Sequence, residues 1–188
     1  MTKTLVVPLL ALALAGCTIH QTKSEDTGKT DKVDIRTPMG SLKVRSTDVD
    51  PKDTGLSVYP GAQRVPETSD ENSHSANVNI DTPLFQLKVV AIKFTATDPP
   101  AKVLDYYRKE MKTFPGKFLE CPGTGNMSDI NPDEGGKSKD LSCYSQARGE
   151  GTDLKVGNPN KQRVVHVNPS GKGSEFALIY LRAHGEQD

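Results

Sequence analysis

The chain has 188 residues, and its 24 Lys+Arg balance its 24 Asp+Glu, leaving a formal net charge of zero. That balance gives no field to draw nucleic acid or an acidic polymer, and the absence of Trp argues against a base-stacking platform. About 150 residues suffice for one domain with its own core.

At the N-terminus, Lys3 and the free amine form a positive patch, and residues 5–15 are apolar throughout. An apolar run this short cannot span a bilayer as a helix but suits the hydrophobic region of a signal peptide. Small residues Ala15 and Gly16 then precede Cys17. Leu14-Ala15-Gly16-Cys17 resembles the lipobox of bacterial lipoproteins. The resemblance implies that residues 1–16 are cut away, that the Cys17 sulfur carries a diacylglyceryl group, and that the new amine is acylated, as with palmitate. Each buried CH₂ of such chains contributes about 0.8 kcal/mol to membrane retention. Thr18, rather than Asp, after the cysteine implies the outer membrane, facing the periplasm. Ala13-Leu14-Ala15 also fits an ordinary secretory cleavage site, but that reading leaves an exposed thiol on an exported protein.

With Cys17 set aside for lipid, Cys121 and Cys143 remain as a pair. An oxidising envelope favours a disulfide between them, closing a loop worth about 3 kcal/mol in the chain-entropy model. Neither has a histidine close in sequence to activate it as a nucleophile.

Residues 17–32 comprise the lipid-bearing cysteine and a polar segment with Ile19 as its only strongly apolar side chain, expected as a flexible tether. A single α+β domain is expected over residues 33–184. Alternation over residues 33–37 and 41–45, with Pro38-Met39-Gly40 between, predicts an N-terminal hairpin. Asp50-Pro51 opens one helical turn, and Val58-Tyr59-Pro60-Gly61-Ala62 contains a type II turn with Gly61 at positive φ. Asn77 to Ile80 alternate. In residues 84–96, Leu87 and Val89 share one phase whereas Val90, Ile92 and Phe94 share the other, which a bulge near Val89-Val90 would reconcile.

One clear helix follows, capped by Thr97 or Asp98, with Val103, Leu104, Tyr107 and Met111 on its apolar face and an Asp105–Lys109 pair opposite. Tyr106 falls on the flank, the more exposed of the two tyrosines. Strands are expected at residues 117–121, 141–145, 153–156, 163–167 and 175–181. The last is apolar from Phe176 to Leu181 and therefore belongs mid-sheet, covered on both faces. The sum is an α+β fold: an antiparallel sheet with one main helix packed on it.

The Val58-Tyr59-Pro60-Gly61-Ala62 turn, a long strand, and Val103-Leu104-Asp105-Tyr106-Tyr107 resemble an uncharacterised bacterial envelope family with a YPGA turn and a VxxYY-type helix. The likeness runs from Val33 to the C-terminus; it supports the domain reading and implies no site.

Asp129, Asn131, Asp133 and Asp140 stand at positions 1, 3, 5 and 12 of a calcium-type loop. Glu134 occupies the place that needs glycine and no helix pattern flanks the segment, which favours a solvated loop. His20, His74, His166 and His184 lack ligand spacing, Gly171-Lys172 lacks the Ser/Thr of a phosphate loop, and Gly123-Thr124-Gly125 lacks the third glycine of a dinucleotide fingerprint. No cofactor is implied. The expectation is a lipid-anchored envelope protein, a non-enzymatic module that binds a protein or small molecule. The alternatives are a hydrolase whose site joins residues distant in sequence, and a structural spacer.

Overall fold

Two long antiparallel strands, β6 (Phe85–Ala96) and β10 (Gly173–Gly185), form the spine of the molecule, paired along their whole length from Phe85–Gly185 to Ala96–Ser174. The structure, a computed structural model, describes residues 18–23, 30–45, 49–66, 75–124, 140–143 and 149–185. The remaining strands are β1 (Thr18–Lys23), β2 (Thr30–Thr37), β3 (Gly40–Arg45), β4 (Gln63–Arg64), β5 (Ala76–Asp81), β7 (Lys117–Thr124), β8 (Gly151–Asn158) and β9 (Lys161–Ser170). They make one antiparallel sheet in the order β1-β2-β3-β5-β6-β10-β9-β8-β7, with β4 on β6 beside β5. Among the described residues a single α-helix, α1 (Pro100–Met111), lies across β8, β9 and β10, so the fold is α+β.

The sheet has two unlike halves. In the half built by β7–β10 and the end of β6 near Phe94, one face packs on the helix. Val90, Ile92, Phe94, Leu154, Val156, Val165, Val167, Phe176 and Leu178 meet Val103, Leu104, Tyr107 and Met111 in one buried cluster. Each such side chain withdrawn from water contributes about 1.5–3 kcal/mol. The opposite face is buried too, around Ala91, Val164, Ala177 and Ile179. In the other half, β1, β2, β3, β5 and the beginning of β6, the described side chains on both faces remain half-buried or exposed, so among the described residues no second layer closes over it.

This division explains the two hydrophobic phases of β6. Pairing with β5 and β10 runs without a shift, so the expected bulge at Val89-Val90 is absent. Val90, Ile92 and Phe94 point to the helix, whereas Leu87 and Val89 lie on the opposite face of the uncovered half. The strand changes which face it makes apolar, not its register.

Other expectations are corrected. The segment read as a tether contributes β1, paired from Thr18–Arg36 to Lys23–Thr30, and β2 begins at Thr30. Backbone hydrogen bonding to β2 gives β1 a place that its single large apolar side chain does not signal. Residues 141–143 are not a strand. The residue preceding the helix is Pro99, with no side-chain cap, because the Asp98 carboxylate accepts instead from Tyr59 Oη and Lys102 Nζ, each at 2.8 Å. Asp105 pairs with Arg108, three residues on, rather than with Lys109, and Arg108 also reaches Glu120 on β7. The hairpin over residues 33–45, the single turn at Pro51–Thr54 capped by Asp50, and the central place of β10 match the sequence reading.

Candidate functional site

The Val-Tyr-Pro-Gly-Ala turn and the paired tyrosines of α1 build one joint. Gly61 takes φ 77°, and Ala62 N–H donates to Tyr59 O at 3.0 Å, closing the turn. Tyr107 is fully buried; its hydroxyl donates to Ser57 O at 3.0 Å and accepts from Tyr59 N–H at 3.1 Å. Burial pushes the Tyr107 phenol well above its ordinary pKa. The hydrogen bond to Asp98, with burial behind it, raises that of Tyr59. Lys102 and then Tyr59, by hydrogen bonding, hold the Asp98 carboxyl below the usual range. Ser57 N–H donates to Glu110 Oε1 at 2.8 Å. The polar atoms of the joint are mostly turned on one another, Glu110 Oε2 being buried without a hydrogen-bond partner, and the Tyr59 ring meets Tyr106 edge-on at 5.2 Å. The motif fastens helix to turn.

A second polar group lies on the sheet face away from the helix. Register places Asp153 of β8 opposite both His166 of β9 and Cys121 of β7, and Lys155 two residues along β8 points the same way. His166 Nδ1 stands 2.6 Å from Asp153 Oδ1, and Lys155 Nζ lies 3.9 Å from Asp153 Oδ2. All three are buried. Burial lowers the Lys155 pKa, and the neighbouring Asp153 charge offsets part of that shift. His166 Nε2 is buried and meets no hydrogen-bond partner. A carboxylate-oriented imidazole is half of a hydrolytic dyad, but among the described residues no hydroxyl or thiol hydrogen-bonds the second nitrogen. Cys121 is joined to Cys143, their Cα atoms 5.5 Å apart, so its sulfur is committed as well.

The third feature is one end of the uncovered half. Between the β2–β3 and β5–β6 turns opens a groove of about 560 Å³, lined by Arg36, Met39, Ser41, Asp81, Pro83 and Gln86 among others. Gly40, at φ 146°, lets the turns approach: a Cβ there would stand 2.5 Å from Asp81 O. Beside the groove Asp34 is ion-paired with Arg36 at 3.1 Å, and the neutral Gln86 amide donates to Asp81 Oδ1 at 3.1 Å.

The residues singled out in the sequence fare unequally. Cys17, His74, Asp129, Asn131 and Asp133 lie outside the described residues, whereas Asp140 is exposed. Among the described residues no group of three His, Cys, Asp or Glu side chains is disposed to hold a metal ion. His20 and His184 are exposed on β1 and β10. The His166–Asp153 contact escaped sequence reading because it depends on the offset between β8 and β9. Its one sequence signal is a pair of acid and base two residues apart, Asp153 and Lys155, in otherwise apolar strands. No protein-family model, no curated protein and no solved structure matches the chain.

Proposed function

We propose that the chain is a lipid-anchored envelope protein, held by acylated Cys17, that works as a non-enzymatic binding module on its uncovered half-sheet. The supporting observation is the apolar face of that half. Register aligns Val33, Val44, Val78 and Val89 in one row and Ile35, Leu42, Ile80 and Leu87 in the next. All eight are only half-buried. A contiguous apolar surface rimmed by polar side chains marks an interaction site in a water-soluble domain. The lipobox supports the address, and balanced charge argues against a nucleic-acid or polyanion partner. The partner fitting such a face is a protein surface of like character.

A photo-reactive residue at Leu42 or Val78, introduced into the protein in its native envelope, is expected to give discrete crosslinked adducts that the same residue at Lys109 on α1 does not give. Absence of adducts from both face positions counts against the module. Cys17→Ser is expected to move the protein into the soluble fraction; continued membrane retention counts against the anchor.

A hydrolase is the second reading, favoured by the His166–Asp153 contact. It requires His166 Nε2 to reach a nucleophile and substrate. Labelling by a fluorophosphonate that disappears in His166→Gln would favour it over the binding module.

A further inference from the structure

Four of the five exposed large hydrophobic side chains among the described residues gather at one end of the sheet. They are Ile19, Met39, Leu84 and Phe85, at 59, 72, 71 and 41% exposure. Sequence places them far apart; register brings them together. The row Thr18–Arg36–Ser41–Asp81–Gln86–His184 crosses β1, β2, β3, β5, β6 and β10 at that end. Just beyond the row stand the β2–β3 turn with Met39 and the β5–β6 turn with Leu84, side by side because β3 and β5 are neighbours. Phe85 opens β6 opposite Gly185, where an added Cβ would lie 3.1 Å from its ring. Ile19 lies one residue inside the row, on the β1 edge.

Thr18 begins β1 in this same row, so the peptide bond to Cys17 leaves the sheet at the end where the hydrophobic side chains are exposed. Consecutive Cα atoms stand about 3.8 Å apart. A lipid on the Cys17 sulfur would therefore hold this end within a few residues' reach of the membrane, with no long linker to lift it away.

We propose that this end of the sheet docks on the bilayer itself. Met39, Leu84 and Phe85 enter the interfacial region next to the acyl chains, Ile19 stays at its border, level with Ile35 and Leu42, and the strands rise from the surface. The proposal rests on the anchor reading above and adds orientation to it. Large apolar side chains carried on turns suit shallow insertion at the headgroup boundary. Local pairing of Asp34 with Arg36 and of Asp81 with Gln86 lets the polar groups beside them sit at headgroup level. The apolar rows over Val78 and Leu42 are then left standing above the membrane, open to a partner from the side.

The chain contains no tryptophan, so a single introduced one reports without background. The test uses acylated full-length protein in phosphatidylethanolamine–phosphatidylglycerol vesicles doped with bromine-labelled phosphatidylcholine. Met39→Trp and Leu84→Trp replace side chains that are more than two-thirds exposed and reach no core. Val58→Trp is the control. Val58 precedes Tyr59, which contacts Phe176 opposite Phe94, and Phe94 is nine residues up β6 from Phe85, about 30 Å at strand spacing. Tip tryptophans are expected to shift to the blue and to be quenched at least threefold more than the control.

Vesicle-bound, acylated protein whose tip tryptophans are quenched no more than the control overturns the docking and leaves the anchor standing. A Cys17 peptide without acyl mass overturns both. Tip tryptophans that stay wet on pure vesicles but are shielded in native envelopes overturn the bilayer as occupant in favour of a protein.

Discussion

Replacing Tyr107 by Phe tests whether the turn and helix are held together by the joint described above. The ring stays, with its edge contacts to Tyr106 and its tilt against Phe176 at 5.8 Å, so apolar burial is conserved. The loss is one hydroxyl that serves two backbone groups, Ser57 C=O and Tyr59 N–H. Ser57 is exposed and water can take over its carbonyl, but Tyr59 is 9% exposed and its amide has no such recourse. An orphaned buried donor costs about 1–3 kcal/mol, so the variant should lose about 2 kcal/mol. At a urea dependence of about 2 kcal/mol per molar, the unfolding midpoint falls by about 1 M with unchanged slope. Tyr59→Phe is the internal comparison. It forfeits a bond to the part-exposed Asp98 carboxylate, which water can replace, and should cost less than about 1 kcal/mol. Urea titration followed by far-ultraviolet circular dichroism reads both. The joint also carries a pH signature. Because the folded Tyr107 phenol ionises above its unfolded value, its contribution is complete below about pH 10 and is lost as pH rises beyond it. Tyr107→Phe should blunt that alkaline loss. A Tyr107→Phe variant no less stable than Tyr59→Phe refutes the reasoning, since the buried contact to the Tyr59 amide would then carry no weight.

The Cys121–Cys143 link spans 22 residues, so the double Ala variant should lose about 3 kcal/mol, and reductant should lower wild-type stability while leaving that variant unchanged. Glu120 titrates below its ordinary range because Arg108 hydrogen-bonds it, so the pair stabilises above about pH 4 and loses that contribution as pH falls through the lowered value. Arg108→Gln should therefore lie less than about 1 kcal/mol below wild type at pH 7, with the gap closing in acid melts; a gap that persists at pH 2 contradicts the sign. Amide hydrogen exchange should be slower for Val165 and Leu178, buried under the helix, than for Val44 and Val78 in the uncovered half. Equal protection would mean that something closes over those strands.

Much of the covered half was legible in sequence because each element there carries a complete pattern. The helix stripe of Val103, Leu104, Tyr107 and Met111 is buried as its spacing requires, and the unbroken run of β10 marks a strand with two dry faces. The hairpin of β2 and β3 was legible from alternation around Pro38-Met39-Gly40. β1 was not, since Thr18-Ile19-His20-Gln21-Thr22-Lys23 holds one large apolar residue and gains its place from backbone pairing alone. β4 is two residues long, too short for any period. The cap was misassigned because the carboxylate of Asp98 had better donors than the helix amides, one of them from Tyr59, 39 residues earlier. As for the sites, Cys121 and Cys143 could be paired by arithmetic, whereas the His166–Asp153 contact and the cluster of Met39, Leu84 and Phe85 both depend on strand register.

The phase change within β6 links the fold to the proposed role. A strand that served only a core would keep one apolar phase from end to end; β6 keeps its phase only where α1 covers it and then presents Leu87 and Val89 on the other face. The same rows continue into β5, β3 and β2 with Ile80, Val78, Leu42, Val44, Ile35 and Val33, so four strands share the change. On the helix side of this half the pattern is polar, with Asn77, Asn79, Lys88 and Lys43. An apolar face left half-buried among the described residues contributes less to the stability of the free domain than a covered one, since transfer from water is what makes burial favourable. It acquires the remainder only when covered. The half-sheet is thus least stable alone and gains most from contact. On the proposed reading its turns lie at the end of the sheet where Thr18 leads to Cys17, which would put attachment and recognition in one structural unit. The half under the helix, fastened by Tyr107 and the Cys121–Cys143 link, supplies the rigid support from which that unit projects.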